Sequence, residues 1–180
     1  MTGLTVTAPI SSVAAVGNEF LKLAANEPQF AVDQMKLQKL IFYAHAWHLA
    51  YDKGPLFEND FEAWPWGPVV RDVYMQTRAF GRGIVTSRLS ELKIIEGDGA
   101  TVSSPDGVSN KELSDFIRSV WDTLKNYTAV QLSNSTHGPG EPWTIVNDTI
   151  GTDRKPIIPN ELIKSVFKRK LNDANPNSAA

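Results

Sequence analysis

The stretch MKLQKLIFYAHAWHLA, Met35 to Ala50, carries few polar side chains after Lys39. Asp33 stands ahead of it as a good helix N-cap, and the turn residues DKGP at 52–55 end it. A helix that is apolar on nearly every side is stable only when other elements cover those sides. At ~100° per residue, Leu37, Leu40, Ile41, Ala44, His48 and Tyr51 share one face. Phe42 and Leu49 lie on another, and Tyr43 and Trp47 on a third. The rest of the chain has to wrap this helix, which makes it the expected centre of the fold.

The chain has 180 residues, 42% hydrophobic and 21% charged, enough for one well-buried core and short for two. Ser11 or Ser12 caps a first helix that runs to about Glu27, where Pro28 ends it. Phe61 to Trp64 suits a short extended segment, and WPWGP a rigid turn. Pro68 is then expected in the first turn of the next helix, which closes at Gly81. In residues 82–108, IVTSRLSELKII has strand character and EGDGATVSSPDG is a polar connection. Ser109 or Asn110 caps a further helix with an apolar stripe of Leu113, Phe116, Ile117, Val120, Trp121 and Leu124. Thr128 caps AVQLSNSTH, GPGEP breaks the chain, WTIVNDTI gives a short helical turn, and Pro159–Asn160 starts a last helix. The expected fold is mainly α: a compact single-domain bundle of six to seven helices over residues 11–171, with a small β-hairpin around 82–108. Residues 1–10 and 172–180 are expected to be flexible.

A net charge of −2 lacks the basic footprint of a general nucleic-acid binder. The absence of cysteine removes disulfides, thiolate metal sites and a Cys nucleophile, and suits a reducing compartment. The N-terminal stretch has no basic residues before an apolar part that Pro9 and two serines interrupt, a poor signal peptide. No apolar run approaches the ~18 residues of a membrane span. A cytoplasmic protein without membrane or nucleic-acid partners is expected.

Two of the three histidines, His45 and His48, stand at helix-neighbour spacing. No carboxylate lies between them, and the nearest is Asp52 at the helix end, so a three- or four-ligand zinc set does not assemble. A buried structural role is expected instead, in a polar cluster with Ser133, Thr136 and His137. The serines and threonine before His137 lack a nucleophile elbow and suit a helix C-terminus. GRG at 81–83 and GDGA at 97–100 lack the lysine and the strand-to-helix setting of a phosphate loop. Neither a catalytic residue nor a metal or cofactor is expected. Trp64, Trp66 and Trp143 stand beside prolines, in settings that suit either plugs at the ends of the bundle or stiff binding platforms. With Pro68, Arg71 and Tyr74 they form the candidate partner-binding set. The basic residues of KSVFKRKL fit a solvated helix C-terminus.

In that order, MKLQKLIFYAHAWHLA, PLFENDFEAWPWGPVVRDVY and LSNSTHGPGEPW resemble the Panacea domain family, the SocA-like antitoxin or phage-associated protein family. The third block matches L-S-x-x-T-H followed by P-W at Leu132, Ser133, Thr136, His137, Pro142 and Trp143. The resemblance covers about residues 15–150. It implies a mostly helical, non-enzymatic domain of bacterial and prophage genomes, acting as the antitoxin half of a type II toxin–antitoxin module. Such a domain neutralises its cognate toxin protein by direct binding. The alternatives are a protease adaptor that delivers the toxin to the ClpXP protease, as the branch typified by SocA implies, and a metal-dependent enzyme. Many family members carry an added DNA-binding domain, for which these residues leave no room, so the sequence leaves a role in transcriptional autoregulation open.

Overall fold

The computed structural model describes residues 8–95 and 99–174. The helix at its centre is α2, Gln34–Ala50, opened by the Asp33 carboxylate accepting the Lys36 amide at 2.7 Å. Helix α1, Val13–Asn26, is capped by Ser12, and a short 3-10 turn at Pro28–Phe30 links the two. Around α2 the chain places α1, α3 (Arg71–Thr77), α4 (Lys111–Leu124), α5 (Ala129–Ser135) and α7 (Asn160–Ala174). Helix α6, Pro142–Ile150, packs on α7 rather than on α2 to the same extent. Leu37, Leu40, Ile41 and Ala44 of α2 are fully buried, and so are Phe42, Ala46, Leu49 and Ala50 from its other sides. The enclosure that the apolar composition of α2 demands is met by five helices.

Seven α-helices among the described residues make the fold mainly α. It also holds more β-structure than a pure bundle. Strands β1 (Phe61–Trp64), β2 (Gly67–Val69) and β5 (Ile157–Ile158) form an antiparallel sheet with β1 in the middle. Strands β3 (Glu91–Ile95) and β4 (Gly99–Ser103) form the hairpin expected in 82–108, in a register that pairs Leu92 with Val102. The caps at Ser12, Asp33, Asn110 and Thr128 stand where the sequence places them, the last as a full capping box with Gln131.

Pro68 corrects one expectation. It does not open a helix but lies in β2 opposite Ala63, and α3 begins three residues later, at Arg71. WPWG makes a tight turn with Gly67 at φ +103°, which keeps the chain extended past Pro68. β2 is an edge strand, where a residue without an N–H is tolerated. Strand β5 carries no sequence signal of its own, being two isoleucines after a proline. The last helix runs through Ala174, beyond the expected boundary at 171. The expectations for residues 1–7, 96–98 and 175–180 fall outside the described residues.

Candidate functional site: a clamped tryptophan turn

Side chains from three helices converge on the backbone carbonyls of the segment 64–70. From α2, Gln38 bonds Val70 at both ends of its amide: Nε2 donates to Val70 O at 3.1 Å, and Oε1 accepts the Val70 N–H at 2.9 Å. The next residue, Lys39, donates its ammonium to Pro68 O at 3.1 Å. From α5, the Ser133 hydroxyl donates to Trp66 O at 2.9 Å. His137, just past α5, brings Nε2 to 3.2 Å from Pro65 O. From α6, the Trp143 indole N–H donates to Trp64 O at 2.7 Å. A buried carbonyl left without a donor costs about 1–3 kcal/mol, so Gln38, Lys39, Ser133 and Trp143 each hold the turn in one conformation.

The donors are themselves fixed. Ser133 O accepts the Thr136 amide at 3.0 Å, the Thr136 hydroxyl at 2.7 Å and His137 Nδ1 at 2.6 Å, which ties off the end of α5. The His137 ring lies against Trp143, centroids 3.8 Å apart. Lys39 is 1% exposed and bonds a neutral carbonyl, so burial pushes its amine down to about 7. Gly67 lets the turn come this close. A Cβ there would stand 2.6 Å from the Thr136 hydroxyl and 2.8 Å from Lys39 Cε.

What the clamp displays is Trp66, 73% exposed at the apex. Trp64 is half-buried beside it, with Tyr74 at 4.7 Å between ring centroids, Lys155 3.7 Å above the ring and Arg71 5.7 Å from it. The Trp64 indole N–H donates to Glu62 at 2.7 Å, and Glu62 takes two bonds from Arg71, both 2.9 Å. Between the turn and α5 runs a groove of about 640 Å³, lined by Gln38, Lys39, Trp64, Tyr74, Arg82 and Val130 and flanked by Trp66.

The partner-binding set from the sequence thus divides. Trp66 and Arg71 are exposed and Trp64 and Tyr74 half-buried. Pro68 and Trp143 are buried, the first inside the sheet edge and the second because its N–H has to reach Trp64 O. These two support the platform and do not face outward. The polar cluster divides too. Ser133, Thr136 and His137 lie together under the turn, but His45 and His48 do not join them. They stand about 9 Å or more further along α2 than Lys39, at 1.5 Å per residue. With Asn160 presenting Oδ1 at 2.9 Å, His45 carries its proton on Nε2, and it packs against Phe57 and Phe61. Burial pushes its imidazole down to about 4. His48 donates from Nδ1 to Gly54 O at 2.6 Å, and burial lowers it as well. No group of three or more metal-ligating side chains occurs among the described residues. The basic face of α7 is engaged by carboxylates: Lys164 and Lys168 pair with Asp52, and Lys170 with Glu141. No helix among the described residues is long and apolar enough to cross a membrane.

Gln38 and Lys39 were missed as site residues. Their signal was present: two adjacent long polar side chains near the entry of a helix that is otherwise largely apolar.

Residues 37–144, which contain the whole clamp, match the family model described as Antitoxin SocA-like, Panacea domain. The chain is also 34% identical over 140 residues to Antitoxin SocA of Caulobacter vibrioides (strain NA1000 / CB15N), an alignment covering 77% of this chain and 72% of that one. No solved structure matches. The chain belongs to the SocA-like Panacea antitoxin family.

Two outcomes follow from the clamp. Gly67→Ala should lose about 2–6 kcal/mol in urea unfolding, since positive-φ strain and overpacking each cost about 1–3 kcal/mol. Between pH 7 and 10.5 the unfolded chain keeps a proton on Lys39 that the folded chain has released, so this group makes stability rise with pH across that window. Unfolding midpoints of wild type measured from pH 7 to 9.5 should rise relative to those of Lys39→Met, which lacks the titrating amine.

Proposed function

We propose that this chain is the antitoxin of a bacterial or prophage type II toxin–antitoxin module, and that it neutralises a cognate toxin by binding it directly, without catalysis. Membership of an antitoxin family supports the role. The observation that carries direct binding is the exposure of Trp66 on a turn whose carbonyls are held from three helices. A large aromatic ring in water on a rigid mount contributes to association without a large ordering cost, and Trp is enriched at binding hot spots. The half-buried Trp64 and Tyr74 extend the same face, and Arg71 is steadied against Trp64 by Glu62.

The toxin is expected to be the product of the neighbouring gene. Co-expression of the two proteins should restore growth, and the pair should co-purify. Trp66→Ala should weaken the complex by about 2 kcal/mol, roughly thirtyfold, with the thermal midpoint of the free antitoxin unchanged because the ring is exposed. Neutralisation by occupation also predicts that rescue persists in a host lacking ClpXP. Rescue that disappears there would assign the protein to proteolytic delivery.

A further inference from the structure

The groove beside Trp66 has a charge of its own, opposite to that of the chain. Three cationic groups stand at its aromatic wall: Arg82 in the lining, and Lys155 and Arg71 over the Trp64 ring. The carboxylate in the groove lining, Asp33, and the one paired with Arg71, Glu62, are both engaged. Asp33 caps α2, and Glu62 holds Arg71 and the Trp64 indole. Among the described residues, Arg82 and Lys155 take part in no ion pair. A chain with a net charge of −2 therefore concentrates uncompensated positive charge around one apolar groove. Low-dielectric walls focus such a field on whatever enters.

We propose that this groove takes an extended acidic segment of the partner, seating an aromatic or aliphatic side chain against Trp64, Tyr74 and Val130 while an adjacent carboxylate meets Arg82. The inference rests on the antitoxin reading and names the chemistry of the segment that is bound. The volume, about 640 Å³, lies within the ~300–1,000 Å³ of pockets that enclose a drug-sized ligand. It fits a short peptide stretch and is too small for a folded face. The apolar wall supplies affinity, and the unpaired cations select against basic and neutral segments.

The test uses the full chain as wild type, as Arg82→Glu, and as Arg78→Glu, an exposed control in the preceding turn that does not line the groove. A phage-displayed library of random peptides is selected on immobilised wild type, and enriched sequences are measured by fluorescence anisotropy at low and high salt. The expected peptides place Asp or Glu beside Phe, Trp or Leu. They bind Arg82→Glu about tenfold or more weakly, bind Arg78→Glu as they bind wild type, and weaken as salt rises. Failure to enrich peptides, enrichment of neutral or basic ones, or binding indifferent to Arg82→Glu overturns the proposal. The same variants in the co-expression assay separate the two levels of inference. If wild type fails to rescue, the antitoxin reading falls. If wild type and Arg82→Glu rescue and bind alike, only the acidic-segment proposal falls.

Discussion

Two prolines shape the site. Pro65 and Pro68 have no N–H, so the turn between β1 and β2 carries more carbonyls than its own backbone can pair. Donors have to come from elsewhere, and they come from an indole, a hydroxyl, an amine and an amide on three different helices. None of these belongs to a neighbouring residue in the chain. The turn is therefore a product of the whole fold, and the whole fold has to be in place before Trp66 is displayed.

This dependence gives the central helix a second task. The C-terminal two-thirds of α2 is buried because it is apolar. Its N-terminal turns are buried as well, although they carry Gln38 and Lys39 at 2% and 1% exposure. A polar group in that position is stable only with a partner, and an amine without a carboxylate is held there at the expense of its charge. Both side chains find their partners in the turn. The same residues that would be costly to bury without partners thus fasten the turn to α2, and α5 and α6 close the clamp from the other side.

Much of this arrangement was legible in the chain and part of it was not. The centrality of α2 followed from its all-round apolar surface, and the helix starts followed from Ser12, Asp33, Asn110 and Thr128, because N-caps act locally. Pro68 was misplaced because a proline after a turn serves an edge strand as well as a helix start, and the choice is made by Gly67 and by Ala63 across the sheet. β5 is two residues long and exists through its pairing with β1. His45 and His48 suggested a common cluster with His137 because all are imidazoles, yet distance along α2 separates them. The three family blocks were recognisable as motifs, but their shared purpose is tertiary: QK of the first, WPWGPVV of the second, and SxxTH with PW of the third are the parts of one clamp.

The central claim is that residues 64–70 are rigid because side chains hold their backbone, with Trp66 alone reaching far into water. Backbone 15N relaxation of the amides of Trp64, Trp66, Gly67, Val69 and Val70 measures this directly. Order parameters of about 0.85, equal to those of α2, are the predicted result. Values below about 0.6 at these amides, with α2 itself ordered, would contradict the account.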